Sequence, residues 1–223
     1  MKNMTKKSFE FPRGCLVLYT RTPVAGRVKT RMHGVLGEAG ALALHKALIE
    51  YTYRNLAQAA LCPVQLWVAT EAGEEASNAY FLSLTSRQAI FRQRAGDLGT
   101  RMRHTAEAVL ANADYVVIVG TDCASVDPAY LRQALAALEA GTDIVIGPAE
   151  DGGYVLLGLR SAPVALFENV PWGSERVMAV TRENLRAAGL SWQELPMRWD
   201  VDTPDDLARL SALSDAFNSF LNR

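Results

Sequence analysis

Residues 115–119, Tyr-Val-Val-Ile-Val, form an unbroken apolar run rich in β-branched side chains that stops at Gly120-Thr121-Asp122. The run has strand length, and its end has turn composition. No polar residue alternates within it, so both faces need cover, as in a central strand of a parallel sheet packed between helices. Asp122 then stands just past the carboxyl end of that strand, at the rim where open α/β sheets bind ligands. A carboxylate there suits a divalent cation on nucleotide phosphates. The plainer reading is that Asp122 starts a turn ahead of Pro128.

Further strands are predicted over 15–20, 64–69, 89–93, 143–147, 154–159 and 192–195. Helical stretches are predicted over 38–60, 80–86 and 102–110, from Asp127-Pro128 to Gly141, and over 174–188 with Ser174 as cap. A last helix opens at Asp200-Val201-Asp202-Thr203-Pro204, with Thr203 as N-cap. Strands and helices alternate without a repeat or linker, which predicts one α/β domain over 14–223, a three-layer sandwich on a mostly parallel sheet. Residues 1–13 read as a loose leader, and 70–78 as a polar connection.

The chain has 223 residues, 49% hydrophobic and 21% charged, with a formal net charge of −1. That is ordinary for a globular protein, and the charge balance signals neither nucleic acid nor an anionic membrane. No apolar run reaches the ~20 residues of a membrane helix. Cys15, Cys62 and Cys123 show no paired spacing, so they read as reduced thiols and the expected location is the cytoplasm. No leader of export type opens the sequence.

Two further stretches carry chemistry. Arg21, Arg27, Lys29 and Arg31 lie between the first strand and the first helix, with Gly26 among them. Backbone N–H groups and the helix dipole favour anions at such a junction, so a polyphosphate fits; a solvated charge run is the bland alternative. The spacing of Gly26 and Lys29 is not that of a P-loop, and Gly34, Gly37 and Gly40 do not make a dinucleotide fingerprint. Asp97, Gly99 and Arg101 flank another strand-to-helix junction, a cradle for base or ribose, or an ordinary helix cap. Asp200 and Asp202 can join Asp122 around Mg²⁺ or Mn²⁺, or serve as negative charge ahead of the last helix. His33, His45 and His104 have no partner motif. Cys123 lacks a placed base and reads as a small filler.

Taken in order, Tyr19–Arg31, Gly96-Asp97-Leu98-Gly99-Thr100-Arg101-Met102, Gly120-Thr121-Asp122, Gly147-Pro148-Ala149-Glu150-Asp151-Gly152-Gly153-Tyr154 and Asp200-Val201-Asp202-Thr203-Pro204 resemble the nucleotide-diphospho-sugar transferase superfamily of GT-A fold. Within it they look like the bacterial arsenosugar-biosynthesis or selenodomain-associated glycosyltransferases, and Lys29-Thr30-Arg31 and Asp202-Thr203-Pro204 also resemble 2-phospho-L-lactate guanylyltransferase. The resemblance implies a phosphate-holding first loop with Lys29 and Arg31 in the catalytic machinery. It also implies Asp122 as metal ligand, Asp202 or Asp200 as the second, and Asp151, Gly152 and Gly153 on the acceptor side. The branch commonly carries Lys at the position of Arg21 and Pro at that of Ala124, and Asp122 lacks the earlier aspartate of an Asp-x-Asp pair. The expected activity is metal-dependent glycosyl transfer from a nucleotide-sugar to a small acceptor. Nucleotidyl transfer from an NTP to a phosphorylated acid, with pyrophosphate leaving, is the alternative. A regulatory nucleotide binder without catalysis is the third reading.

Overall fold

The computed structural model describes residues 8–70, 75 and 78–221. Among the described residues seven strands form one sheet: β1 (Gly14–Arg21), β2 (Val64–Ala69), β3 (Ile90–Arg92), β4 (Tyr115–Gly120), β5 (Ile144–Pro148), β6 (Tyr154–Leu159) and β7 (Trp192–Glu194), in the order β3-β2-β1-β4-β6-β5-β7. Pairs β1–β2, β2–β3, β1–β4 and β5–β7 are parallel, while β6 runs antiparallel to both β4 and β5. The chain moves outward from β1 through β2 to β3, then returns to place β4 on the other side of β1. The carboxyl ends of β1 and β4 therefore face each other across a topological switch point, where a crevice opens between the flanking connections.

Along β1, Leu16 and Leu18 enter one core and Cys15, Val17 and Tyr19 the other; along β4, Tyr115, Val117 and Val119 oppose Val116 and Ile118. Strand alternation thus sends apolar side chains to both faces, which is why the sequence shows no polar alternation. One face is covered by α1 (His33–Ala59), α2 (Ala79–Leu84) and α4 (Pro128–Glu139), and the other by α3 (Leu98–Leu110), α5 (Val164–Phe167) and α6 (Val177–Ala187). The last helix, α7 (Asp206–Leu213), and the 3-10 turns Asp215–Phe220 pack outside α1, with Val201, Leu207, Leu210 and Phe217 against Leu44 and Leu48.

Several predicted boundaries shift for local reasons. Helix α1 is interrupted at Gly37 (φ 66°, ψ 174°), so its regular part begins where the apolar periodicity does. Helix α3 starts at Leu98 because Asp97 caps it, accepting from the Thr100 N–H at 2.7 Å. Ser174 does not cap α6: its hydroxyl donates to Pro171 O, and the helix starts at Val177. Thr203 is not the cap of α7 either. The Asp206 carboxylate turns back to accept from the N–H groups of Asp202 and Thr203, at 2.9 and 2.7 Å, which delays the helix. Residues 1–7 of the expected leader lie outside the described residues, as does most of the 70–78 connection. Residues 10 and 11 are docked, with Phe11 buried, its N–H bonded to Leu61 O, and Glu10 paired with Arg132.

Candidate functional site

A two-lobed cleft runs over the carboxyl ends of β1 to β4, each lobe about 570 Å³. Arg21, Arg27, Val28, Gln93 and Arg101 belong to both lobes. The lobe over β2 and β3 adds Arg92 and Arg94, so that among the described residues five arginines and no acidic side chain line it. The other lobe adds Lys29, Arg31, His45, Asp122 and Asp202.

The basic loop divides its charges between structure and cleft. Lys29 adopts the left-handed backbone conformation (φ 49°, ψ 43°) just before a 3-10 turn, Thr30–Met32. Its side chain is only 5% exposed; the ammonium lies 2.7 Å from Asp122 Oδ1 and also donates to Val201 O. Arg31 donates to the Asp202 carboxylate. Arg21 is exposed at the end of β1, and its carbonyl is met by His45 Nε2 at 3.1 Å. Gly26 (φ 76°) lets the loop turn above the Glu38 carboxylate, which lies 3.3 Å from where a Cβ would stand.

The acidic residues come together from three distant segments. The Asp122 carbonyl accepts from the Val201 N–H at 2.9 Å, and Val201 is wholly buried, which fixes the chain on either side of it. Burial, then the charges of Asp151 and Asp122, push the Asp200 carboxyl up to about 6. Asp122, Asp151 and Asp200 thus share a field that the single ammonium of Lys29 does not balance. Asp202 instead faces Arg31. Carboxylates are hard oxygen donors of the kind that suit Mg²⁺ or Mn²⁺, which takes one or two of them and completes its shell from phosphate and water. Among the described residues no group of three or more His, Cys, Asp or Glu could hold a metal ion by itself.

The remaining expected residues have structural surroundings. Arg101 lines both lobes, while Asp97 is the cap of its helix. Gly99 faces away from the cleft, where a Cβ would fall 2.5 Å from Trp172 Nε1, so α3 can pack on that indole only through glycine. Asp151 accepts from the Gly153 N–H at 2.9 Å in the turn after β5. Gly152 (φ 87°) accepts at its carbonyl from the Met178 N–H, and a Cβ there would lie 2.2 Å from Glu175 O. The turn is thereby tied to the segment before α6. Cys123 is buried and its thiol is pushed well up, by burial first, then by Asp200 and Asp122, which disfavours the thiolate.

Two cleft residues carried no sequence signal. His45 is buried, and burial lowers its pKa despite the nearby charge of Asp122. Its position follows from the α1 face that contacts β1, which periodicity marks only as apolar. Gln93 directly follows β3 and is buried with its amide in the cleft floor; a lone glutamine after a strand has no motif to flag it.

No curated protein matches the sequence. Among solved structures, a protein from Desulfovibrio desulfuricans G20, provisionally assigned as a nucleotide-diphospho-sugar transferase, is 30% identical over 94% of both chains with a TM-score of 0.81. A 4-diphosphocytidyl-2C-methyl-D-erythritol synthase from Anaerococcus prevotii shares the fold at 9% identity and a TM-score of 0.59, over 96% of this chain and 98% of that one. A cytidylyltransferase from Leptospira borgpetersenii does so at 16% and 0.53, over 95% and 92%. Residues 52–174, more than half of the chain, match the bacterial family described as uncharacterized and designated DUF2064, and the chain belongs to that family.

Proposed function

We propose that the protein is a divalent-metal-dependent transferase that takes a nucleotide-sugar in the arginine-lined cleft and passes the sugar to a small acceptor. The observation that carries this reading is one rim holding both an arginine-rich cleft and an unbalanced carboxylate group beside it. Arg21, Arg27 and Arg101 bind the phosphates, with Gly26 giving the backbone room to turn. Asp122 and Asp200 are the metal ligands in this reading, because the charge of Asp122 is felt by the half-buried Asp200 carboxyl. Lys29 holds Asp122 in place and Arg31 holds Asp202, so both act by positioning. Asp97 and Gly99 act through the helix that carries Arg101. Asp151, Gly152 and Gly153 face the acceptor. The bound cation supplies charge neutralisation on the phosphates of the departing nucleoside diphosphate. The arginines add preorganised charge to the same oxygens. The assignment of the Desulfovibrio relative points the same way.

Nucleotidyl transfer from an NTP is the second reading, favoured by the five arginines of the outer lobe, which suit a longer phosphate chain. A thermal-shift screen of NTPs, NDPs and nucleotide-sugars with Mg²⁺ or Mn²⁺, each repeated with EDTA, separates the two. A ligand at a hundredfold excess over Kd adds about 2.7 kcal/mol of stability. Glycosyl transfer predicts the largest metal-dependent shifts from one nucleotide-sugar and its NDP, with NDP released on turnover. An NTP winning without its sugar conjugates, with pyrophosphate released, selects the second reading. Binding without turnover leaves a regulatory protein, and no shift with any nucleotide overturns the whole reading.

A further inference from the structure

Arg101 is paired differently from four arginines elsewhere on the protein. Arg13, Arg132, Arg182 and Arg209 each face a carboxylate. Arg101, half-buried in the first turn of α3, donates from Nη1 to Gln93 Oε1 at 3.0 Å and from Nε to the Asp97 carbonyl at 3.4 Å, both neutral oxygens. Burial and then the charge of Arg21 lower its pKa, and Tyr19 and Asp97 offset only part of this, the condition of a guanidinium that has lost water without a carboxylate hydrogen-bonded to it among the described residues.

Gln93 is oriented without ambiguity. Its Nε2 donates to Trp67 O at 2.9 Å and Thr20 O at 3.2 Å, the carbonyls near the ends of β2 and β1. Carbonyls only accept and a guanidinium only donates, so the amide nitrogen must face the strands and the oxygen must face Arg101. A carboxylate at this position could not donate to the two carbonyls, and it would neutralise Arg101. Glutamine does neither: it anchors the guanidinium to the sheet and leaves its charge unspent.

We propose that Gln93 is a positioning residue that holds the Arg101 guanidinium at the junction of the two cleft lobes through a neutral oxygen, so that Arg101 and Arg21 together bind a phosphate group there. The inference rests on the nucleotide reading of the cleft and adds which cation meets phosphate and what holds it. Its test is a double-mutant cycle on binding of inorganic pyrophosphate with Mg²⁺, followed by calorimetry. Gln93→Met and Arg101→Met should each weaken binding about tenfold, the range of one charge-assisted contact. The double variant should lose no more than either alone, because both act through one guanidinium. A merely structural glutamine lowers stability without this coupling, so additive losses or unchanged affinity in Gln93→Met overturn the proposal. Should Gln93→Met fail to fold, the wild-type protein labelled with ¹⁵N answers instead: saturating pyrophosphate must shift both the Arg101 Nε and the Gln93 side-chain amide signals, and unmoved signals overturn it. Pyrophosphate failing to bind wild type while a nucleotide binds overturns this inference alone; failure of both removes the nucleotide reading itself.

Discussion

The Lys29 ammonium lies 2.7 Å from Asp122 Oδ1, with the lysine side chain almost wholly buried and the aspartate 46% exposed. The pair joins the basic loop after β1 to the carboxyl end of β4, and the same ammonium reaches Val201 O, so one lysine ties together three segments far apart in the chain.

Lys29→Met should therefore behave as a structural change more than as the loss of a surface cation. Removing one partner of a partly buried pair leaves the other exposed to its full desolvation cost, here about 1–3 kcal/mol given that Asp122 keeps solvent access. Denaturant unfolding should show that loss, and Arg27→Met should show much less. Equal stability of the two variants would remove the anchoring role of Lys29.

Asp122→Asn should retain the fold and lose Mg²⁺- or Mn²⁺-dependent nucleotide binding. Asp200→Asn should do the same, while Asp202→Asn keeps metal dependence, since Asp200 is the carboxyl that the charge of Asp122 raises. The measurement is the EDTA-sensitive part of the melting shift for each variant. If Asp202→Asn alone abolishes it, the ligand pair is Asp122 with Asp202.

Gly152→Ala places a methyl 2.2 Å from the Glu175 carbonyl at a φ of 87°, so both the turn and the segment before α6 must move. Strain of this kind costs on the order of 1–3 kcal/mol, or roughly 2–12 °C in Tm for a domain of this size. Gly173→Ala, with a similar φ but open space around it, isolates the conformational part. If the two variants melt alike, the close approach to Glu175 is unimportant.

Arg182 grips Glu194 through two hydrogen bonds, at 2.8 and 2.7 Å, which hold the glutamate below its ordinary range. A carboxylate depressed in the folded state contributes stability above its unfolded pKa and loses it as pH falls through the folded value. The pair is solvent-accessible, so Glu194→Gln should cost only about 0.5 kcal/mol near neutrality. That difference should vanish on acidification. A gap that persists in acid would point to packing of the side chain.

Much of the fold was legible because both local signals agreed. The apolar runs of β1, β4, β5 and β6 have strand length and turn residues at their ends, and α4 carries both its cap, Asp127, and Pro128 at the first position. Helix starts at Ser174 and Thr203 were misread because Pro171 O and the Asp206 carboxylate compete for the polar groups that caps would use.

By itself the sequence determined the α/β class, the strand that ends at Asp122, and the cluster of cations after β1, since these rest on periodicity and composition within short windows. Only the tertiary structure decided how those charges are spent. Lys29 is turned inward to Asp122, Arg31 to Asp202, and Arg101 to the neutral amide of Gln93. Partners separated by 93, 171 and 8 positions in the chain are set by strand order and helix packing, and no pattern along one segment encodes which carboxylate or amide a given cation will meet.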